Sequence, residues 1–315
     1  MKALVTGGAG FIGRWVVKRL LEDGHAVWVL DNLLNGDESN LEEMKKYSNQ
    51  FSFIKGDIRN ITLLESLFKL QFDFCYHLAA SINVQDSIDD PRSTFENDTV
   101  GSFNILEQCR KCNTKLVYMS TCMVYDRTYD DGSINENHPV KPASPYAGSK
   151  IAGENMVLSY WFAYHLPVTV LRPFNTYGPF QKSGGEGGVV PIFIKRSLEG
   201  KQLNIYGDGT QTRDLLYVED CAEFVAKAGY MDSVNGQIVN AGFGRDISIN
   251  DLALLISKDK DLINHVPHIH PQSEISRLLC DYSKARRLLD WKPKMAIDGG
   301  IEKTKEWIEN AISST

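Results

Sequence analysis

Thr6-Gly7-Gly8-Ala9-Gly10-Phe11-Ile12-Gly13 is the stretch on which the fold turns. Ala3-Leu4-Val5 runs into it, short and apolar like a buried strand. From Trp15 to Leu21 apolar residues recur at helical spacing. A strand, a glycine turn and a helix in that order make an anion site. Gly7 permits the tight turn, Gly10 lets backbone approach a pyrophosphate, and Gly13 lets the helix lie close to the sheet. The N–H groups of the first helical turn, around Phe11 and Ile12, have no intrahelical partner and face the phosphates.

The spacing is GxxGxxG rather than GxGxxG, so the reading leans on an acid downstream. Asp31 ends a second apolar run, Ala26-Val27-Trp28-Val29-Leu30. A carboxylate there accepts both ribose hydroxyls of an adenosine and repels a 2′-phosphate. No Lys or Arg lies between Asp31 and Glu43 to offset that repulsion. The expected cofactor is NAD, not NADP.

The rest of the first half repeats the pattern. Strands are expected at 2–6, 26–31, 51–55, 73–79, 115–120 and 167–172, and helices between them, notably 92–113 and 145–165. Such alternation implies a doubly wound parallel sheet covered on both faces, an α/β fold of Rossmann type. Ligands then collect along the C-terminal edge, where Gly7, Asp31, Asp57, Leu78-Ala79-Ala80, Thr121 and Asn175 all fall. After Pro173 the pattern changes. Residues 181–188 read as a mobile glycine-rich loop, 190–199 as a helix, Tyr206 as near a short strand and Arg213 as a basic loop. Residues 218–241 return to the main sheet, and short helices with one strand follow from 246. The expected division is an NAD-binding domain of residues 1–173, rejoined by 218–241. A smaller C-terminal α/β substrate lobe takes residues 174–217 and 242–315.

At 315 residues the chain can bury a large core and a smaller lobe. Its net charge of −6 leaves no electrostatic footprint for nucleic acid or an anionic membrane. No apolar run approaches the about 20 residues that span a bilayer. No signal peptide is evident, so a cytoplasmic protein with six reduced cysteines is expected. Cys109 and Cys112 form a CxxC without a second pair. His265, His268 and His270 lack a thiol or carboxylate to complete a metal site and read as a solvated strand. No metal is expected.

Tyr146 and Lys150 lie four apart in Ser144-Pro145-Tyr146-Ala147-Gly148-Ser149-Lys150. Pro145 suits the first turn of a helix, which puts both side chains on one face. A free tyrosine, with a pKa near ~10, is a poor base at neutral pH. A nearby lysine cation and the positive nicotinamide of NAD favour the phenolate; reaching ~7 takes about 4 kcal/mol. The phenolate then takes a proton from a substrate alcohol as hydride leaves the same carbon. Thr121, at the end of the strand 115–120, can donate to the reacting oxygen or to Tyr146.

Taken together, these residues resemble the extended short-chain dehydrogenase/reductases, in the nucleotide-sugar epimerase and dehydratase branch. The matching stretches are TGGAGFIG, Asp31-Asn32-Leu33-Leu34-Asn35, Gly56-Asp57-Ile58, His77-Leu78-Ala79-Ala80, Ser120-Thr121, SPYAGSK, Arg172-Pro173-Phe174-Asn175-Thr176-Tyr177-Gly178-Pro179 and Gly207 to Asp214. They span almost the whole chain. The resemblance implies that Asn32, Asn35 and Gly36 accompany Asp31 at the adenosine, and that Asp57 and Ile58 sit at the adenine. Leu78, Ala79 and Ala80 would line the middle of the cofactor, with Asn97 on the nicotinamide side, Lys150 on the nicotinamide ribose and Phe174 near the ring. Ser81, Thr121, Cys122 and Met123 would face the sugar. Asn175, Val189, Val190, Tyr206, Arg213 and Arg277 would hold its nucleoside diphosphate. Arginine offers a fork of donors to a diphosphate, and a tyrosine ring a flat face to a base such as uracil.

Two departures from the branch carry information. Where its 4,6-dehydratases follow Thr with Asp-Glu, this chain has Cys122-Met123. Elimination needs a base for the C5 proton and an acid for the departing hydroxyl. Methionine moves no proton; a thiol can donate one, and a related Cys marks 5,6-dehydratases. A 4-epimerase needs neither. The second departure is Asn97-Asp98, where the usual Asn is out of register relative to Gly101. The position that gates N-acetyl groups in 4-epimerases corresponds to Leu278, smaller than the Tyr of strict glucose enzymes. The expected activity is a UDP-hexose or UDP-N-acetylhexosamine 4-epimerase. The alternatives are a 4,6- or 5,6-dehydratase with Cys122 as acid, a non-catalytic NAD-binding sensor, and an NADPH-linked ketone reductase that Asp31 opposes. The family also implies a homodimer, paired through helices 92–113 and 145–165.

Overall fold

The computed structural model describes residues 1–128, 132–184, 188–267 and 275–313. Strand β1 (Lys2–Thr6) enters helix α1 (Phe11–Glu22), followed by β2 (Ala26–Asp31), β3 (Phe51–Lys55), α2 (Ile61–Phe68) and β4 (Phe74–His77). Two short helices, α3 (Val84–Asp89) and α4 (Pro91–Phe95), lead through a wide π turn at Glu96–Val100 into α5 (Gly101–Cys112). Then come β5 (Lys115–Met119), the long α6 (Pro145–Tyr164), β6 (Val168–Pro173) and β7 (Asn175–Tyr177). The last part holds α7 (Val189–Leu198), β8 (Leu203–Tyr206), β9 (Thr212–Tyr217), α8 (Val218–Tyr230) and β10 (Gln237–Ala241). It ends with β11 (Asp246–Ser248), α9 (Ile249–Ser257), β12 (Ile263–Val266), β13 (Arg277–Leu278), α10 (Ser283–Leu289) and α11 (Ile297–Ser313).

Seven strands form one parallel sheet in the order β10-β6-β5-β4-β1-β2-β3. β4, β5 and β6 are buried at every residue, as expected of strands covered on both faces. On one face α1 and α8 pack around Val16, Val17, Leu20, Phe224 and Val225. On the other, α2, α5 and α6 pack around Leu64, Ile105, Leu106 and Val157. The chain leaves β1 toward β2 and later crosses back to β4, so the loops after β1 and β4 open a crevice at the C-terminal edge.

The helix expected over 92–113 is interrupted: the π turn sits between α4 and α5 and buries Asn97 and Asp98. The second half also departs from expectation. Arg213 lies in strand β9, not in a loop, because β7, β11 and β13 all pair with that segment. Three strands, not one, follow residue 246, and α11 is 17 residues long. β12 pairs with β8, and His265 on it is exposed and bonded to Asn250 Oδ1 at 3.0 Å. His268 and His270 lie outside the described residues, as do 185–187 of the glycine-rich stretch. Among the described residues no His, Cys, Asp and Glu side chains cluster as a metal site, and no helix is long and apolar enough to cross a membrane.

Candidate active site

The loop after β1 is built from close backbone contacts. Gly7 has φ +73°, and a Cβ there would stand 2.6 Å from the Ala79 nitrogen, so the turns after β1 and β4 touch. A Cβ on Gly13 would lie 2.0 Å from the Gly7 oxygen. Gly10 caps α1 with no side chain, and a Cβ there would meet only the Gly7 oxygen, at 3.2 Å. The result is a backbone cradle at a helix N-terminus that fits a pyrophosphate.

Asp31, at the end of β2, is buried and accepts from the Ala9 N–H at 3.0 Å and the Leu33 N–H at 2.8 Å. Burial raises its pKa, and those two bonds oppose the rise. Each carboxylate oxygen keeps a lone pair for a ribose hydroxyl. Asn40 Nδ2 and the Asp37 N–H both reach the Ala9 oxygen, which closes the 32–40 segment over the glycine turn. Gly36 packs there so tightly that a Cβ would come 2.9 Å from the Ala9 carbonyl carbon. Asn32 donates to Asp57 at 3.0 Å, and Arg59 grips Asp57 with two bonds, holding it well below the usual carboxylate range. Ile58 is buried beside Gly101. These residues, with Leu78, Ala79 and Ala80 across the crevice, fit the adenosine and pyrophosphate of a dinucleotide. When bound, NAD accepts and returns a hydride.

α6 carries Tyr146 and Lys150, the candidate reacting side chains. Ser144 caps it, accepting from the Ala147 N–H at 3.2 Å, and Pro145 opens it. Tyr146 and Lys150 are both buried, one turn apart, and face the end of β5. Burial pushes the Tyr146 phenol up from its ordinary value, the Asp98 charge pushes the same way, and the nearby Thr121 side chain opposes them. Lys150 Nζ donates to the Met119 oxygen at 3.0 Å; burial lowers its pKa, while Asp98 and Glu154 resist. Thr121 also accepts from the Met123 N–H at 3.2 Å, which shapes the turn holding Cys122. Cys122 is buried, its thiol pushed up to about 12 mainly by burial, and so stays protonated at neutral pH.

The facing wall comes from the second half of the chain. Cys122 and Phe174 pack in one cluster with Ile275, Leu278 and Cys280, and Met123 lies against it. Asn175 Oδ1 is buried and has no hydrogen-bond partner among the described residues, an acceptor left for a ligand donor. Val190 is buried near the start of α7, and Val189 is its first residue. Arg213 and Arg277 come from paired strands, with Leu278 opposite Arg213. Arg213 donates to the Thr212 and Ile275 oxygens at 2.7 and 2.9 Å, and Arg277 Nε meets Asp246 at 2.9 Å. Tyr206 is 43% exposed. The crevice thus joins a dinucleotide cradle, a Tyr–Lys–Thr group and an arginine-bearing wall.

A model of the NAD-dependent epimerase/dehydratase family matches residues 3–242. The chain belongs to that family. Its relatives act on nucleotide sugars in several ways. A UDP-glucose 4-epimerase of Mycolicibacterium smegmatis is 37% identical over 98% of this chain and 99% of its own. A dTDP-glucose 4,6-dehydratase of Shigella flexneri is 32% identical over 100% of this chain and 96% of its own. Among solved structures, Pal from Bacillus thuringiensis superposes with a TM-score of 0.97 at 64% identity, covering 99% of this chain and 100% of Pal. This family member is therefore an enzyme that uses NAD and modifies a nucleotide sugar. The sensor reading is set aside.

Several residues near the site were not singled out in the sequence. Asp98, not Asn97, points toward Ser149 and the candidate catalytic side chains: it is fully buried, accepts from the Ser81 N–H at 2.7 Å and lies 3.4 Å from Ser149 Oγ. Asn97 turns its amide to Ser81 Oγ at 3.2 Å and to Asp98 at 2.9 Å. Glu154, one turn beyond Lys150, forms a buried ion pair with Arg172 and accepts from Ser120. The i, i+4, i+8 spacing of Tyr146, Lys150 and Glu154 is the signal that could have revealed it.

Proposed function

We propose that the enzyme is a UDP-hexose 4-epimerase that also admits N-acetylated sugars. The observation that carries this reading is the turn after β5, where Cys122 and Met123 supply no carboxylate beside Tyr146. Elimination of water needs a base to take the C5 proton. A thiol pushed up to about 12 is protonated at neutral pH and cannot serve. Epimerisation needs only one proton carrier. Tyr146 takes the proton of the C4 hydroxyl, with Lys150 and Thr121 supporting the phenolate, as hydride leaves C4. The 4-keto sugar turns over against the wall of Leu278 and Phe174. Hydride then returns to the opposite face, and Tyr146 gives the proton back. Arg213, Arg277 and the Asn175 side-chain N–H hold the diphosphate during the turn, the Asn175 Oδ1 accepts from a sugar hydroxyl, and Tyr206 stacks on the base. A 4,6- or 5,6-dehydratase is the second reading, favoured only by the Cys122 thiol as a proton donor to the leaving hydroxyl.

The cofactor and sugar parts correspond to residues 1–173 with 218–241, and to 174–217 with 242–315. Phe95, Phe103, Met156 and Phe162 leave α4, α5 and α6 with exposed apolar side chains, which supports pairing of these helices with a second copy. Sedimentation as a monomer would remove that pairing. The unpaired state of all six cysteines supports a cytoplasmic location.

The deciding experiment incubates the enzyme with UDP-, dTDP-, CDP- and GDP-sugars and reads products by mass and NMR. An isobaric product inverted at C4 is expected from UDP-glucose and UDP-N-acetylglucosamine. Loss of water from the product overturns the epimerase in favour of the dehydratase. Leu278→Tyr is expected to suppress the N-acetylated substrate while sparing UDP-glucose.

A further inference from the structure

Four charged side chains near this end of the sheet are buried: Asp98, Lys150, Glu154 and Arg172. Glu154 is bound twice by Arg172 and also takes the Ser120 hydroxyl, so its charge is answered outside the reacting group. Asp98 forms no ion pair of its own among the described residues. The Ser81 N–H and the Asn97 amide both donate to its Oδ1, and its Oδ2 lies 3.4 Å from Ser149 Oγ. Burial raises the Asp98 pKa, and Lys150 and these donors oppose the rise by favouring the ionised carboxylate. Ser149 directly precedes Lys150, and Asp98 and Lys150 act on each other electrostatically. Around them, α6 presents Tyr146, Lys150 and Glu154, β5 presents Tyr118, and β4 presents His77, which burial and Lys150 keep neutral.

We propose that Asp98 is the counter-charge of the Lys150–Tyr146 pair, holding the pair's proton and so setting the pH at which the catalytic phenolate appears. The argument is one of charge balance in a buried site. With Asp98 ionised, Lys150 charged and Tyr146 neutral, the group carries no net charge. Removing the Asp98 charge leaves it at plus one, and the first proton then leaves more readily, whichever of the two side chains loses it. Asp98 is thus a positioning residue. It also links the segment after β4 to α6, since it accepts from the Ser81 N–H and lies 3.4 Å from Ser149 Oγ on α6. The inference rests on the reading of Tyr146 as proton carrier.

Asp98→Asn is nearly isosteric and keeps an oxygen for the Ser81 N–H. The NAD-loaded enzyme is titrated by tyrosinate absorbance, with the Tyr146→Phe counterpart of each variant subtracted. The midpoint is expected to fall by about one pH unit in Asp98→Asn, as for a charge a few ångströms away. Asp98→Glu, which keeps the charge, is expected to hold the wild-type midpoint. The acid limb of the pH–rate profile moves with the titration. Should Asp98→Asn fail to fold, Asp98→Ser carries the same expectation. An unchanged midpoint overturns the proposal, even if turnover falls. The titration needs no sugar, so a shifted midpoint in an enzyme that proves not to epimerise leaves the counter-charge standing and removes only the reaction assigned above.

Discussion

Around β1 the surface offered to the cofactor is backbone: the turn at Gly7, the bare N-cap at Gly10 and the close approach at Gly13. Around β9 the surface is side chain: Arg213, Arg277 and Leu278 on short strands paired to one another. A backbone surface is fixed once the strand and helix are in place, and almost any added atom destroys it. A side-chain surface finds partners within the protein while it waits. Arg277 rests on Asp246, and Arg213 on the Ile275 oxygen. The first kind of surface is rigid and unforgiving, the second adjustable. That difference would suit the proposed reaction, in which a sugar turns over beside the cofactor.

The proposed catalytic group sits at the seam, so a change there should spare both surfaces. Tyr146→Phe removes the proton carrier and leaves the Tyr146 ring in place. Turnover is expected to fall by about 10²–10⁴-fold, the usual worth of a general base. NAD content and UDP-sugar affinity are expected to stay at wild-type values. A variant with near-normal turnover sinks the assignment; a variant that loses NAD shows that the seam is not separable.

Next in size is a pair of substitutions that tests rigidity directly. Gly13→Ala puts a Cβ 2.0 Å from the Gly7 oxygen, where only backbone can yield. Overpacking of this sort costs about 1–3 kcal/mol or more, and bound NAD should be lost with it. Arg277→Ala removes a charge from the adjustable surface. It is expected to raise the KM for the UDP-sugar about ten- to a hundredfold, as for one charge-assisted hydrogen bond. Its thermal midpoint should barely move. If Arg277→Ala unfolds the protein, or Gly13→Ala keeps its NAD, the contrast between the two surfaces is wrong.

The same contrast explains what could be read in the sequence. Each feature of the backbone surface is local: glycine spacing, an apolar run, and an acid at the end of the next run. The strands through β6 follow from such runs, and Tyr146 with Lys150 from helical spacing. Arg213 read as a loop because Gly207 and Gly209 precede it. Its strand exists through pairing with β7, β11 and β13, which no local pattern announces. Asp98 was hidden for a similar reason. Its neighbours Ser81 and Ser149 are far away in the chain, and a π turn rather than a regular helix directs it inward. Glu154 with Arg172 is a third long-range pairing of this kind.

The smallest expected effect concerns pH, and it sets one buried group from each region against the other. His77, on β4, lies between Thr6 Oγ1 at 2.6 Å and Ser102 Oγ at 2.8 Å, and burial lowers its pKa from 6.5 to about 3. Between those values the unfolded chain binds a proton that the fold refuses, so stability rises with pH across the window. Asp214, on β9, is fully buried, and burial raises its pKa from 3.8 to about 6 although the Phe243, Gly244 and Cys280 N–H groups all donate to it. Here the fold holds a proton that the unfolded chain has released, so stability falls as pH rises from 3.8 to about 6. In the wild type the two slopes oppose each other over that shared range. Asp214→Asn removes one of them, and its stability relative to wild type is expected to climb with pH there. His77→Asn removes the other, and its relative stability is expected to decline over the same range. Denaturant unfolding at intervals between pH 4 and 7 measures both differences, and curves that run parallel to wild type would show that neither group titrates with folding.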